Sequence, residues 1–242
     1  MKAMILAAGK GTRLQSLTSK TPKALVEIHG KPLLERVINK LKRSGFTDII
    51  INVHHFADQL TEFIESNDFG VRIKISDERD QLLDTGGGIL HAKKFFRGEE
   101  AFLVYNVDIL SDIDLLDLYK AHISSDALAT LAVKERPTSR QLLFDTAGNL
   151  CRWRNVETGE TKNAREAFGE LSPFAFSGIH MLSTEIFEQI TESGSFSIID
   201  AYLRLAKDFP IKSYIHNYSK WFDMGRYQHV VEFNKRKKMI EL

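Results

Sequence analysis

A chain of 242 residues can bury a sizeable core and fits one domain, or one domain with an excursion. Its 43% apolar and 27% charged residues are ordinary for a soluble globular protein, and a formal net charge of +1 gives no electrostatic basis for a nucleic-acid partner. The single cysteine, Cys151, excludes an intrachain disulfide and suits a reducing compartment, and no apolar run reaches the length of a membrane span.

The opening apolar run, Met1–Leu6, breaks at Gly9-Lys10-Gly11, too early for a secretory core, so the sequence reads as cytoplasmic with no membrane partner. Lys2–Ala7 is a short apolar strand. Pro32–Ser44 is a helix with Leu33, Leu34, Val37, Ile38 and Leu41 on one face, Pro32 at its start and Gly45 at its end. Asp48–Val53 is a buried β-branched strand, Ala57–Ser66 a helix, and Val71–Ser76 an alternating strand. A helix over Ile89–Phe96 is entered through three glycines, and Ala101–Tyr105 is another buried strand. This rhythm predicts an α/β fold, a mostly parallel central sheet flanked by helices, with ligands beyond the carboxyl ends of its strands.

The second half is less regular. Ala127–Val133 reads as a strand, Gln141–Asp145 and Leu150–Trp153 as a hairpin, and Glu157–Glu170 as a polar loop. Phe174–Met181 is a strand, Ser183–Thr191 and Ser197–Asp208 are helices, Ile211–His216 is a strand and Arg226–Met239 a closing helix. The basic run Lys235–Lys238 belongs to the solvated face of that helix. No internal repeat or linker divides the chain, so residues 1–242 read as a single domain.

Chemistry concentrates in the run Leu6-Ala7-Ala8-Gly9-Lys10-Gly11-Thr12-Arg13-Leu14, followed by Pro22-Lys23. A glycine turn after a strand brings backbone N–H groups close to phosphates, and Arg13 and Lys23 can offset their charge. It is not a dinucleotide fingerprint, because Leu14 replaces the third glycine, which also disfavours a dehydrogenase; it is not a P-loop, because the Gly-Lys-Ser/Thr spacing is missing. Thr85-Gly86-Gly87-Gly88, ahead of a helical pattern, suits recognition of an anion or base through backbone groups, with Thr85 as a helix cap the plainer alternative. Three successive glycines favour close approach of a ligand. The adjacent His54 and His55 point apart and do not suit joint metal ligation.

The run Leu-x-x-Gly-x-Gly-Thr-Arg-Leu with Pro-Lys resembles the sugar-1-phosphate nucleotidyltransferases. Three further motifs follow in the family's order: Leu83-Asp84-Thr85-Gly86-Gly87-Gly88, Asn106-Val107-Asp108 and Trp221-Phe222-Asp223-Met224-Gly225. The resemblance implies a Rossmann-like nucleotide-diphospho-sugar transferase fold, with residues 1–125 as the nucleotide-binding half and 126–242 as the sugar-phosphate-binding half. It implies that an NTP, UTP or GTP, reacts with a sugar 1-phosphate to give an NDP-sugar and pyrophosphate. Arg13, Lys23 and Asp108 are then catalytic, and Leu6, Ala7, Ala8, Gly9, Gly11, Thr12, Arg13, Lys23, Thr85, Gly86 and Asn106 bind nucleotide. Asp108 and Asp223 are the metal ligands; as hard oxygen donors they suit Mg²⁺, which takes phosphate oxygens as well.

One departure is Val107, where the family usually has glycine; valine requires a β or right-handed helical turn there. Another is the acceptor segment: the family's Glu-Lys-Pro is replaced by Lys134-Glu135-Arg136-Pro137, so Arg140 becomes the candidate phosphate ligand, its fork matching a phosphate. Ser177, Gly178 and Trp221 complete the implied sugar-phosphate site. The Leu83–Gly88 and Phe176–Ile179 segments look most like the branch that uridylylates N-acetylmuramate 1-phosphate in peptidoglycan recycling. Mannose- and heptose-1-phosphate guanylyltransferases are close in motif, with Glu78 or Asp80 as acceptors for a guanine edge. A monomer or homodimer is expected, and the alternative of another class is a non-catalytic nucleotide-sugar binding protein.

Overall fold

The computed structural model describes residues 1–235. Its first half runs β1 (Lys2–Leu6), β2 (Glu27–Ile28), β3 (Lys31–Pro32), α1 (Leu33–Arg43), β4 (Asp48–Val53), α2 (Ala57–Glu65), β5 (Arg72–Asp77), α3 (Asp84–His91), β6 (Ala101–Asn106), β7 (Ile109–Ser111) and α4 (Leu115–Ile123). The second runs β8 (Ala129–Lys134), β9 (Arg140–Phe144), β10 (Leu150–Asn155), β11 (Thr161–Asn163), β12 (Ser172–Ser183), α5 (Ile186–Gln189), α6 (Ile198–Leu205), β13 (Ile211–Ile215), β14 (Trp221–Asp223) and α7 (Tyr227–Lys235).

β1 lies between β4 and β6, parallel to both, and β5 follows β4 at the edge. Ala3, Met4, Ile5, Ile51, Leu103 and Val104 are fully buried, as strands covered on both faces require. Residues of α1, α2 and α4 pack on one face and residues of α3, α5 and α6 on the other. This is the α/β fold expected. The second half adds an antiparallel wing: β12 runs against β6, β8 and β9, β10 and β11 extend it outward, and β13 joins β8 in parallel.

Several boundaries move. The helix predicted over Ile89–Phe96 begins at Asp84, contains the three glycines and ends at His91; Ala92–Phe96 forms a 3-10 turn. The predicted helix over Ser183–Thr191 is the single turn α5. Elements not expected include the short strands β2, β3, β7 and β14, α4, whose N-cap Asp114 accepts from the N–H groups of Leu116 and Asp117, and β11 within the stretch read as loop. Residues Arg236, Lys237 and Lys238 of the basic run, and the predicted helix end at Met239, lie outside the described residues. Among the described residues no helix is long and apolar enough to cross a membrane.

Candidate active site

β1 ends at Leu6, in register with Asn52 of β4 and Asn106 of β6. The chain then turns through Gly11, whose φ of +65° is left-handed, into a 3-10 turn over Thr12–Thr18. The Gly11 carbonyl accepts from the Leu14 N–H at 2.8 Å and the Thr18 hydroxyl at 3.0 Å. A Cβ at Gly11 would stand 3.0 Å from Lys23 Cβ and from Thr18 Cγ2, so both conformation and room select glycine. Ala7 and Ala8 are buried, while Gly9, Lys10, Thr12 and Arg13 are exposed.

The charged centre gathers beside this loop. Lys23 Nζ lies 3.1 Å from Asp108 Oδ2, and Asp108 is buried just past β6. β14 pairs with β7 so that Asp223 stands opposite Ile109, and the Met224 N–H donates to the Asp108 carbonyl at 2.7 Å. Gly225 sits where the charges converge: a Cβ there would fall 2.6 Å from Asp108 Oδ2, 2.8 Å from Asp223 Oδ1 and 3.0 Å from an Arg13 guanidinium nitrogen. Arg13, Asp108 and Asp223 therefore surround one bare backbone position, and Lys23 joins them through its ion pair with Asp108. Val107 makes the turn without positive φ, its N–H donating to the Leu6 carbonyl at 3.2 Å. Among the described residues no third histidine, cysteine or carboxylate completes a protein-only metal cage. Two carboxylates around a cradle that a Cβ would fill suit Mg²⁺, which retains waters and takes phosphate oxygens.

A cleft of about 640 Å³ extends from Leu6, Thr85 and Asn106 to Arg140 and Leu142 of β9, Trp153 of β10 and Phe176 of β12. Arg140 is exposed within it. Lys162 of β11 also lines it, its ammonium 2.9 Å from Asp200 Oδ1 and 5.3 Å from the Trp153 ring centroid. Lys162 carries no sequence signal, because it lies in a polar stretch with no apolar pattern. Ser177, Gly178 and Trp221 brace the site instead of lining the cleft. Ser177 Oγ is 2.7 Å from His216 Nε2, the Ser177 carbonyl accepts from Trp221 Nε1 at 2.9 Å, and Gly178, with φ +73°, leaves room for the Asn106 side chain.

Arg136, within the Lys134-Glu135-Arg136-Pro137 run, is a second residue not among those predicted for the site. Its guanidinium carbon stands 4.0 Å over the Trp221 ring, and one nitrogen donates to the Phe176 carbonyl at 2.9 Å. Burial lowers its pKa while the charge of Asp223 raises it. Nearby, the Lys134 ammonium donates to the carbonyls of His216, Asn217 and Ser219 and so holds the loop that leads into β14. The sequence signal for Arg136 was Glu135-Arg136-Pro137, which keeps the frame of Glu-Lys-Pro with arginine in place of lysine.

The glycine run corrects the expectation attached to it. Gly86, Gly87 and Gly88 are buried, and the close approach they permit is to protein. A Cβ at Gly86 would overlap the Phe196 ring, one at Gly87 the Gly194 carbonyl, and one at Gly88 would lie 2.8 Å from Glu78 Oε1. The N–H groups of Gly86 and Gly87 donate to the Phe196 carbonyl. Thr85 does not cap its own helix; its hydroxyl accepts from the Ile198 N–H at 3.0 Å, at the start of α6. Asp84 and Thr85 are the members of this segment that reach the cleft, with Asp84 at φ +57°. Glu78 is buried and bonded to Asn52, so it is not placed to read a guanine edge.

The sequence profile of the family "Nucleotidyl transferase" matches residues 2–238. The N-acetylmuramate alpha-1-phosphate uridylyltransferase of Caulobacter vibrioides is 34% identical over 85% of this chain and 84% of its own. That of Neisseria meningitidis is 44% identical over 47% of this chain and 49% of its own. In fold, a putative glucose-1-phosphate thymidylyltransferase from Bacillus anthracis superposes with a TM-score of 0.80 at 20% identity, covering 100% of this chain and 97% of that one. Matched by the family profile along almost its whole length, and similar across most of its length to a sugar-phosphate uridylyltransferase, this chain belongs to the nucleotidyl transferase family of enzymes.

Proposed function

We propose that this protein transfers the uridylyl group of UTP to N-acetylmuramate 1-phosphate, releasing pyrophosphate and forming a UDP-sugar used in cell-wall metabolism. The observation that carries the reading is the convergence of Arg13, Asp108 and Asp223 around Gly225, with Lys23 paired to Asp108 and Asp108 two residues beyond Asn106 of the cleft. The uracil base and the muramate acceptor are supported by the likeness to the Caulobacter and Neisseria proteins and by the Leu83–Gly88 segment. Residues 1–125 supply the nucleotide site. The Gly9–Arg13 segment and Lys23 take the triphosphate, and Leu6, Ala7, Ala8, Thr85 and Asn106 frame the nucleoside, with Gly86 packed behind them against Phe196. Residues 126–242 supply the acceptor site, with Arg140 in the cleft and Ser177, Gly178 and Trp221 as its frame. Mg²⁺ held by Asp108 and Asp223 offsets phosphate charge when bound. An acceptor phosphate oxygen forms the new bond to the α-phosphorus as the bond to pyrophosphate breaks. The attacking oxygen is already anionic, so no protein nucleophile or base is required. Arg13 and Lys23 orient the chain and stabilise the charge that moves onto the leaving group. A reaction that consumes UTP suits a cytoplasmic enzyme.

Pyrophosphate release from UTP, GTP, CTP and dTTP, each against N-acetylmuramate, N-acetylglucosamine, mannose and heptose 1-phosphates, tests the reading. UTP with N-acetylmuramate 1-phosphate is expected to give the highest kcat/KM. Dominance of GTP with mannose or heptose 1-phosphate would replace it with a guanylyl transfer, and silence with every pair would leave a nucleotide-sugar binding protein. Asp108→Asn is expected to cut release about a hundredfold or more with every NTP while the circular dichroism spectrum stays unchanged.

A further inference from the structure

The pairing of β1 with β4 stops at Leu6 opposite Asn52. Beyond that point a side chain continues the ladder. Asn52 Oδ1 accepts from the N–H of Ala7 at 2.7 Å and of Ala8 at 3.3 Å, which sets the direction in which the chain leaves the strand toward Gly9. On its other side, Asn52 Nδ2 donates to Glu78 Oε1 at 2.9 Å. Both residues are almost fully buried, 2% and 3% exposed. A carboxamide can present either end to a neighbour, so a partner on one end decides the other. An acceptor on Nδ2 turns Oδ1 toward the loop. Gly88 of α3 closes the arrangement, because a Cβ there would stand 2.8 Å from Glu78 Oε1 and 3.0 Å from Asn52 Nδ2.

This network costs stability. Glu78 Oε2 is buried with no partner, and a half-satisfied polar cluster is worse for the fold than apolar packing. The cost falls where the phosphate loop and the glycine helix meet. We propose that Asn52 and Glu78 are positioning residues for the nucleoside triphosphate. They commit the Ala7 and Ala8 amides to protein, leave Gly9–Arg13 to face phosphate, and tie that segment to Gly88. The inference rests on the assignment of Gly9–Arg13 to the triphosphate.

Wild type, Glu78→Gln, Glu78→Met, Asn52→Asp and the Asn52→Asp/Glu78→Gln pair are compared by KM for UTP, KM for N-acetylmuramate 1-phosphate, and calorimetric Kd for Mg-UTP. Thermal melts report folding. Glu78→Gln keeps an acceptor for Nδ2 and is expected within about twofold of wild type. Glu78→Met is expected to raise the UTP KM and Kd about tenfold with the acceptor KM unchanged, as loss of one buried hydrogen bond predicts. Asn52→Asp sets two acceptors face to face and is expected to weaken UTP similarly, with Glu78→Gln restoring most of the loss. A folded Glu78→Met protein with wild-type UTP constants overturns the inference, as does an equal rise in the acceptor KM. If Glu78→Met does not fold, an Asn52→Asp defect that Glu78→Gln fails to rescue overturns it. A wild type that binds UTP but releases no pyrophosphate with any acceptor sinks the proposed function while Kd still decides the inference. A wild type that binds no UTP overturns both.

Discussion

Arg136 stands between the Phe176–Gly178 and Trp221–Asp223 segments, stacked on one and bonded to the other. In the proposed transfer the acceptor phosphate carries negative charge and approaches the Asp108 and Asp223 carboxylates to reach the α-phosphorus. A cation beside Asp223 is where that repulsion is offset. Arg140 stands four residues farther along, at the start of β9, and is exposed in the cleft. Arg136→Met retains bulk against Trp221 and removes the charge. It is expected to raise the KM for the sugar 1-phosphate by about ten- to a hundredfold, with the UTP KM unchanged. A larger effect from Arg140→Met would reverse the assignment.

The α3 glycines act at the level of the element. They let α3 approach the segment that leads into α6, and the Thr85 hydroxyl serves the α6 N-terminus from outside. Gly87→Ala would drive a methyl group into the Gly194 carbonyl, a backbone atom that cannot swing away. The expected loss is about 1–3 kcal/mol, read as a lower Tm in a thermal melt, and an unchanged Tm would contradict this packing. Here the sequence was ambiguous, since a glycine run serves a ligand and a neighbouring helix equally well. Periodic elements were plain: α1 buries the five residues of its predicted face, and β4 spans the predicted Asp48–Val53. α4 escaped because its apolar stripe is short, and β11 because all three of its residues are exposed. At the site, Arg13, Lys23, Asp108 and Asp223 were legible because their motifs stand at strand ends and turns. Lys162 and Asn52 were not, because no motif marks them, and Arg136 was passed over because arginine stands in place of the lysine of Glu-Lys-Pro.

Across the whole molecule, three histidines are held neutral by burial: His122 and His216 are pushed down to about 4 and His180 to about 3, from 6.5. The unfolded chain takes up these protons near the ordinary histidine value, and the folded chain takes them up only at lower pH. Stability from this source is therefore full above about pH 6.5 and is lost as pH falls toward 4, at about 1.4 kcal/mol per pH unit for each histidine. Denaturant melts from pH 7 to 4.5 should show this steep fall, with a shallower slope in His122→Gln. A flat profile over that range would show that the histidines are protonated within the fold.

β12 lies against β6 and also pairs with β8 and β9. A cut after residue 125 would strip β6 of one neighbour and open an edge that carries Phe102, Leu103, Val104 and Tyr105, all buried in the intact protein. Bare apolar edges recruit other chains. Chimeras that join the front of one relative to the back of another must therefore rebuild the β6–β12 seam. Transplanting the β9–β11 wing leaves that seam untouched and is the more promising way to redirect the acceptor.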